Sequence, residues 1–309
     1  MTVVALLSRD PAIISLLSKA FAETLPQVRV ALEGEAALAD AQVAACWYPP
    51  PGSLGALPKL RLVHSIAAGV DHLENDPTCP DVPVCRVVDP AHRRGMVEYV
   101  RWAALHYHRC FDQILVQQRD LCWLRPAQRP AAAYRVGVMG LGKLGAAVAS
   151  DLADAGYDVR GWARGAKDIV NVEVFSGDAA FVPFLEGLDL LINLLPLTAH
   201  TRGIFCAANF ARLARGAAVV NCGRGGHLLA EDLIAALASG QLGGALLDVF
   251  ETEPLPTTHP LWTTPGVTIT PHMASVTTPS AIVRQIAENA RRIDTGEAFL
   301  NLVDPKTGY

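Results

Sequence analysis

A glycine-rich loop between a strand and a helix constrains the fold of this chain more than any other feature of its sequence. Residues 136–145 read VGVMGLGKLG, a G-x-G-x-x-G loop that follows a predicted strand at 135–139 and precedes a predicted helix at 144–155. In this pattern the first glycine permits a tight turn, the second lets the backbone approach a pyrophosphate, and the third lets the helix pack against the strand. The N–H groups and dipole of the helix N-terminus favour the phosphates. The loop therefore predicts a dinucleotide site at Gly140, Leu141, Gly142, Lys143, Leu144 and Gly145.

The residues after the next predicted strand indicate which nicotinamide cofactor binds. The fingerprint expects a carboxylate about 20 residues beyond the loop, where it binds the ribose hydroxyls of NAD. Here the strand at 158–162 leads into Ala163-Arg164-Gly165-Ala166-Lys167, without a carboxylate at the strand end. A guanidinium at Arg164 suits a 2′-phosphate and Lys167 adds a second positive charge, although a solvated basic turn is the alternative. We therefore predict NADP(H) as the preferred cofactor, with NAD(H) possible.

Strand-like and helix-like runs alternate along most of the 309 residues, which is typical of parallel sheets covered by helices. A chain of this length is expected to form about two domains. A run without Gly or Pro at 96–118 predicts one long helix that joins them. The other predicted strands are 3–7, 43–47, 62–66, 84–88, 190–194, 217–221, 245–250 and 267–270, and the other predicted helices are 11–22, 230–239 and 279–294.

The composition excludes several classes of protein. The formal net charge is −4 and charged residues make up 18%, so we expect no nucleic-acid partner, which would need clustered Lys and Arg. No apolar run reaches the roughly 18 residues that span a bilayer, and the apolar N-terminus favours a buried first strand over a signal peptide. The seven cysteines form no C-x-x-C pair. They predict reduced thiols in a cytoplasmic protein without a disulfide framework, and no residue cluster has metal-ligand spacing.

Three polar residues, Arg224, Glu253 and His272, each follow a predicted buried strand. Ligands of open α/β sheets bind outside the carboxyl ends of the strands, and these residue types suit the reduction of a 2-keto acid. An Arg binds the carboxylate and polarises the ketone, a His gives a proton to the oxygen, and a Glu bound to that His orients it in its protonated form. Taken singly, each has another explanation: His272 can cap a loop, and Glu251 lies two residues from Glu253.

Several further motifs are spread over nearly the whole chain. They are Cys46-Trp47-Tyr48-Pro49-Pro50, Ala67-Ala68-Gly69-Val70-Asp71, Leu191-Ile192-Asn193-Leu194-Leu195-Pro196, Asn221-Cys222-Gly223-Arg224-Gly225 and Thr268-Ile269-Thr270-Pro271-His272. Together they resemble the D-isomer-specific 2-hydroxyacid dehydrogenase family, and within it most closely the glyoxylate/hydroxypyruvate reductase A group. The resemblance implies that Arg224, Glu253 and His272 form the catalytic set, with His272 as the acid and base. It further implies reduction of glyoxylate and hydroxypyruvate to D-2-hydroxy acids.

The same resemblance implies a fold of two Rossmann-like or flavodoxin-like doubly wound α/β domains with the active site in the cleft between them. Residues 1–96 with 277–309 are expected to form the substrate-binding domain, and 97–276 the NAD(P)-binding domain. The N–H groups of Ala68 and Gly69 then hold the substrate carboxylate beside Trp47, for which a core aromatic is the alternative. Further cofactor contacts are expected at Trp162, Leu195, Pro196, Cys222 and Asp248.

Such enzymes are usually homodimers, so His106, Tyr107 and Trp123 are expected at an interface or in a core rather than in catalysis. Two other functions stay open from the sequence. One is a dehydrogenase of the same family that acts on a bulkier 2-keto acid. The other is a dinucleotide-sensing binding protein without turnover, a function that loss of one of the three catalytic residues would have indicated.

Overall fold

The computed structural model describes residues 2–70, 72–73, 78–275 and 277–303. The chain divides into two units, Met1–His92 with Thr277–Tyr309, and Arg93–Val276, called here the first and the second unit. The last six residues of the first predicted domain, 304–309, lie outside the described part.

The strands are β1 (Val3–Ser8), β2 (Arg29–Ala31), β3 (Ala41–Trp47), β4 (Leu62–Ser65), β5 (Val84–Cys85), β6 (Arg135–Met139), β7 (Asp158–Ala163), β8 (Val172–Ser176), β9 (Leu190–Asn193), β10 (Ala217–Asn221), β11 (Leu242–Leu247) and β12 (Val267–Ile269). The α-helices are α1 (Pro11–Thr24), α2 (Pro90–His108), α3 (Phe111–Arg119), α4 (Lys143–Asp154), α5 (Phe181–Leu185), α6 (Ala207–Phe210), α7 (Ala230–Ala238) and α8 (Pro279–Thr295).

The first unit forms a five-stranded parallel sheet in the order β2-β1-β3-β4-β5. Its central strands β1, β3 and β4 are buried on both faces, which explains their largely apolar sequences. Helix α1 begins where Asp10 accepts a hydrogen bond from Ala12 N at 2.8 Å and Pro11 occupies the first turn. Helix α8 contributes Ile282, Val283 and Ile286 to the same core, so the end of the chain folds with its beginning.

The second unit forms a seven-stranded parallel sheet in the order β12-β11-β10-β9-β6-β7-β8. Alternate residues of a strand enter the hydrophobic clusters on opposite faces: Val136 and Val138 belong to one, Met139 and Leu191 to the other. Chain connections run in opposite directions on the two sides of β6, which is the doubly wound arrangement. The predicted fold class of two parallel-sheet α/β domains is confirmed.

The expected single helix over 96–118 is wrong. Helix α2 begins earlier, at Pro90, and ends at His108; α3 begins at Phe111. Between them Cys110 takes a left-handed conformation with φ 57°, and its N–H bonds Tyr107 O instead of continuing the helix. Gly and Pro are the usual signals of such a break, and a left-handed Cys gives none in the sequence. In the described part of the chain no helix has the length and apolar character needed to cross a membrane.

Candidate active site

The polar loops of the second unit meet at one edge of its sheet. Because all seven strands are parallel, the segments that follow β6, β7, β9, β10, β11 and β12 leave from the same side. Strand β6 lies between β7 and β9, at the point where the connections change direction. Open α/β sheets bind ligands at this place, so the topology alone brings the glycine loop, Arg224, Asp248 and His272 to one edge.

The glycine loop between β6 and α4 has room where a dinucleotide requires it and none elsewhere. Gly140 has φ +94°, and a Cβ there would lie 2.9 Å from Leu194 O. A Cβ at Gly145 would lie 1.8 Å from Gly140 O, so the helix meets the loop too closely for any side chain. A Cβ at Gly142 would meet nothing within 4 Å. Since Gly142 is also the N-cap of α4, no side chain stands in front of the first helix N–H groups, and these residues fit a pyrophosphate.

The side chains expected at the adenosine end of a dinucleotide differ in exposure. Arg164 and Lys167 follow β7 and are both exposed. Trp162 is buried instead: its ring packs on Phe181 at 4.8 Å between centroids, and its Nε1 donates to Gly177 O at 3.0 Å. The backbone of Trp162 does reach the glycine loop, because Gly140 N donates to Trp162 O at 2.9 Å. The Trp162 side chain thus belongs to the core, and the basic pair faces solvent.

His272 and Glu253 form a direct pair. Glu253 Oε2 lies 2.7 Å from His272 Nδ1, and Glu253 Oε1 accepts a hydrogen bond from Phe250 N at 2.8 Å. Burial raises the pKa of Glu253, but the hydrogen bond and charge of His272, the bond from Phe250 N and the charge of Arg224 together hold that pKa below its ordinary value. Glu251 bonds Arg202 at 3.2 Å, and both side chains are exposed. The structure therefore pairs Glu253 with the imidazole and leaves Glu251 in a surface ion pair.

Asp248, which directly follows β11, accepts hydrogen bonds from residues on both sides of His272. Its Oδ1 accepts from Thr270 Oγ1 and Met273 N, each at 2.7 Å, and its Oδ2 accepts from Ala274 N at 2.9 Å. Burial raises the pKa of Asp248, and the three donors only partly offset it. The Tyr99 hydroxyl lies 2.7 Å from Thr270 Oγ1 and extends this network to α2. These bonds hold a loop in which His272 itself has φ 51°.

Arg224 is carried by a tight turn after β10. Its Nη1 donates to Gly223 O at 2.8 Å. Asn221 Nδ2 donates to Arg224 O at 3.1 Å, and Asn221 Oδ1 accepts from Gly223 N at 3.2 Å. A Cβ at Gly225 would lie 1.9 Å from Phe250 C, so the turn has no room for a larger residue at this position. The half-buried Arg224 is therefore carried by a turn that is hydrogen-bonded to Asn221 and closely packed against Phe250.

Leu195, Pro196 and Cys222 lie beside this turn, in the segments that follow β9 and β10. Leu195 N donates to Asn193 Oδ1 at 3.1 Å, which holds the first segment against the strand end. Burial raises the pKa of the Cys222 thiol well above its usual value, and the nearby charge of Asp248 adds to the effect. The Cys222 thiol is therefore neutral and buried.

In the first unit, the expected carboxylate-binding loop follows β4. Ser65 Oγ accepts from Ala67 N at 3.1 Å and donates to Gly69 O at 2.8 Å, while Arg86 Nη1 donates to Ala68 O at 3.2 Å. The N–H groups of Ala68 and Gly69 make no hydrogen bond within the described residues. This fits a loop whose carbonyls are bound and whose N–H groups stay available for an anion. Trp47 ends β3 and contacts Tyr48 and His72, with centroids 5.0 and 4.8 Å apart.

Comparison with known proteins identifies the family. Residues 102–274 match the family model described as D-isomer specific 2-hydroxyacid dehydrogenase, NAD binding domain. The glyoxylate/hydroxypyruvate reductase A of Serratia proteamaculans is 41% identical over 295 residues, which cover 93% of this chain and 94% of that protein. This chain belongs to the D-isomer specific 2-hydroxyacid dehydrogenase family. The predicted family, oxidoreductase class and nicotinamide dinucleotide cofactor are thereby confirmed.

Solved structures of this dehydrogenase family agree over the whole fold. A family protein from Klebsiella pneumoniae 342 has 44% identity and a TM-score of 0.93, covering 98% of this chain and 97% of that one. A family protein from Xanthobacter autotrophicus Py2, in complex with NADPH and MES, has 41% identity and a TM-score of 0.89, covering 100% and 99%. An NADPH-dependent glyoxylate/hydroxypyruvate reductase from Sinorhizobium meliloti, in complex with NADP and sulfate, has 35% identity and a TM-score of 0.92, covering 100% of both chains. The predicted NADP(H) preference fits these complexes.

Sequence reasoning missed the residues that hold this dehydrogenase's loops in place. Asn193 and Asn221 end β9 and β10 and bond each other, with Asn193 Nδ2 3.0 Å from Asn221 Oδ1. His227 is buried three residues after Arg224, and Thr270 contacts Asp248. A polar residue at the last position of an otherwise apolar strand was the available signal for both asparagines. His106 and Tyr107 are buried, whereas Trp123 is fully exposed, and no role in the site is assigned to these three.

Proposed function

We propose that this protein is an NADPH-dependent reductase that converts glyoxylate and hydroxypyruvate to D-2-hydroxy acids. The observation that carries this proposal is the 2.7 Å contact between His272 and Glu253, at the same sheet edge as the glycine loop. An imidazole paired with a carboxylate suits proton transfer to a carbonyl oxygen. The relatives named as glyoxylate/hydroxypyruvate reductases support the choice of substrate.

Three side chains of the second unit do the chemical work in this proposal. Arg224 binds the substrate carboxylate and polarises the ketone. His272 gives its proton to the ketone oxygen, and Glu253 holds the imidazole in orientation and stabilises its positive charge before that transfer. The reduced nicotinamide supplies the hydride that the carbonyl carbon receives. A neutral His272 remains after turnover and takes a proton from solvent, so the residue is restored for the next cycle.

The cofactor contacts follow from the same edge of the sheet. Residues 140–145 hold the pyrophosphate, and Arg164 with Lys167 pairs with the 2′-phosphate of NADPH. Leu195, Pro196, Cys222 and Asp248 lie where the loops after β9, β10 and β11 can line the nicotinamide end. Because the Trp162 side chain is buried on Phe181, we assign its cofactor contact to the backbone.

We assign substrate binding in the first unit to the N–H groups of Ala68 and Gly69, with Trp47 as an aromatic wall. Peptide N–H groups bind carboxylate oxygens well, and both groups make no bond within the part of the chain that the structure describes. The second unit is then the NAD(P)-binding domain and the first unit the substrate-binding domain.

We further propose a homodimer formed through the apolar arm, residues 111–124. Helix α3 has no buried residue, and Phe111, Leu115 and Val116 are each about half exposed. Beyond it Leu121 is 95% exposed and Trp123 101%. Contiguous apolar surface of this kind marks a contact surface, and a second copy of the chain is the partner proposed. Trp123→Glu should give a monomer by light scattering; an unchanged dimer mass of the variant would contradict the apolar arm as the interface, and a monomeric wild type would contradict the dimer.

The activity is tested by following absorbance during oxidation of NADPH and of NADH with glyoxylate, hydroxypyruvate and phenylpyruvate. Faster turnover of the two small acids with NADPH supports the proposal, and chiral chromatography should find the D-product. Activity on the bulky acid alone, or with NADH alone, would refute the substrate or the cofactor assignment. A His272→Ala variant that keeps full turnover would refute the proton-donor role.

The phosphate contact has its own test. Arg164→Ser should weaken NADPH binding about 10- to 100-fold, because one charge-assisted hydrogen bond is lost. It should leave NADH binding nearly unchanged. Lys19→Ser, at an exposed position on α1, is the matched control and should alter neither dissociation constant. An equal loss for both cofactors in the Arg164 variant would contradict recognition of the 2′-phosphate.

A further inference from the structure

A buried imidazole bridges two loops at the carboxyl edge of the second sheet. His227 lies in the turn Gly225–His227 and is 0% exposed. Its Nε2 lies 3.1 Å from Pro196 O, in the segment after β9. Its Nδ1 lies 3.0 Å from Arg224 N, in the segment after β10. One side chain therefore contacts the backbone of both segments.

These partners select one form of the ring. Pro196 O can only accept, so Nε2 must carry a proton. Burial lowers the pKa of His227, which favours the neutral ring, while its bonds to backbone carbonyls oppose this effect. In a neutral ring protonated at Nε2, Nδ1 carries no proton and accepts a hydrogen bond from Arg224 N. Nδ1 also lies 3.0 Å from Arg224 O. These two atoms could form a hydrogen bond only if Nδ1 carried a proton.

The His227 ring packs closely against Gly223 and Asn193. A Cβ at Gly223 would lie 2.9 Å from His227 Nδ1 and 2.7 Å from Asn193 Nδ2. The backbone of His227 is fixed as well, because Phe205 N donates to His227 O at 2.8 Å. Asn193 holds the amide of Leu195, and Asn221 holds the carbonyl of Arg224. Gly203 N donates to Gly226 O between the same two segments at 2.9 Å, and the His227 ring adds the side-chain contact that joins Pro196 O to Arg224 N.

We infer that His227 is a positioning residue, which sets the backbone of Arg224 and of Pro196 relative to each other. This inference rests on the proposed function, in which Arg224 binds the substrate carboxylate and Pro196 lines the nicotinamide end. Loss of the Nε2 contact to Pro196 should then weaken dinucleotide binding. Loss of the Nδ1 contact to Arg224 should weaken substrate binding and raise KM.

Two substitutions separate the two contacts. His227→Asn places an amide near Nδ1 and loses the reach to Pro196, so it should raise the dissociation constant of NADPH about tenfold and leave KM for glyoxylate nearly unchanged. His227→Gln places its amide near Nε2, so it should keep NADPH binding and raise KM about tenfold. NADPH binding is read by fluorescence without turnover. His108→Asn is the control: this buried histidine of the same unit contacts Arg129 O and Tyr157, away from the sheet edge, and should lower only the melting temperature.

Nitrogen-15 NMR of the wild type tests the same inference without a substitution. The His227 ring should be neutral and protonated at Nε2 near pH 7, and a ring protonated at Nδ1 would overturn the inference. So would Asn and Gln variants that change both constants together, in parallel with the melting temperature. Arg224→Lys separates the role of Arg224 in substrate binding from the positioning role of His227. An unchanged KM in that variant would refute the role of Arg224 itself. A raised KM would support that role, and the His227 variants then decide the positioning role.

Discussion

A histidine in the core of the first unit makes the stability of that unit depend on pH. His64 lies in β4 and is 0% exposed, with Nδ1 2.8 Å from Ser65 O. Its Nε2 has no hydrogen-bond partner within the described residues. Burial lowers the pKa of His64 to about 4 from an ordinary 6.5, and the bond to Ser65 only partly opposes this. A proton on this ring would place an uncompensated charge in the core.

The gap between the ordinary pKa of 6.5 and the lowered pKa of His64 determines the sign and size of the change in stability with pH. Between the two pKa values the unfolded chain binds a proton at this position that the folded chain does not. Stability is therefore intact above pH 6.5, falls as the pH drops through 6.5 towards 4, and levels off below that. Each pKa unit corresponds to about 1.4 kcal/mol, so the total loss is about 3 kcal/mol.

His64→Asn is the matched variant, because its amide can still donate to Ser65 O but does not titrate. The smaller side chain lowers stability by an amount that does not depend on pH. The test is therefore how steeply the opening free energy of each protein changes with pH. Hydrogen exchange followed by mass spectrometry on peptides of β3, β4 and β5, corrected for intrinsic rates, gives the opening free energy of this unit between about pH 7.5 and 4.5. Wild type should lose most of about 3 kcal/mol relative to the variant over that range. Parallel curves for the two proteins would refute the reasoning.

Two further predictions concern the second unit. Gly145→Ala should lower the melting temperature and abolish NADPH binding, since its Cβ would lie 1.8 Å from a loop carbonyl oxygen, whereas Gly142→Ala, whose Cβ meets nothing within 4 Å, should weaken NADPH binding alone. Calorimetry measures the melting temperature and fluorescence titration measures NADPH binding. Equal melting temperatures of the Gly145→Ala and Gly142→Ala variants would contradict the packing argument. Glu253→Gln should lower kcat about 10- to 100-fold, because His272 loses a charge-assisted bond of about 1.5–3 kcal/mol. Stopped-flow reduction of glyoxylate measures this; Glu251→Gln is the control, and an equal effect of both variants would contradict the pairing.

Spacing along the chain was sufficient to locate the dinucleotide loop. Gly140, Gly142 and Gly145 act through local backbone geometry, and local geometry is what a short pattern records. Arg224 and His272 were predicted at one sheet edge, because each follows a strand, and the structure places both there, three residues beyond β10 and β12. Parallel strands bring such positions to one edge whatever their distance along the chain.

Other features were beyond the sequence because they depend on contacts between distant segments. Trp162 stands at a strand end like a ligand contact, yet its ring is buried against Phe181. Asn193 and Asn221 contact each other only because β9 and β10 are neighbours in the sheet. The break at Cys110 has no local signal, since a left-handed non-glycine residue is held by its surroundings.

The sequence by itself thus determined the fold class, the family and the places where polar residues follow strands, because periodicity and glycine spacing express local backbone requirements. The resemblance implied Glu253, but only the tertiary structure shows why this carboxylate, and not Glu251, pairs with His272. Glu251 and Glu253 are the same residue type and are separated by one residue. The conformation of the loop places Glu251 beside Arg202 and Glu253 beside the His272 imidazole. The tertiary structure likewise decided that His227 joins the segments of Pro196 and Arg224. The contacts of His272, Pro196 and Arg202 link positions 19, 31 and 49 residues apart, which become neighbours only after the sheet has formed.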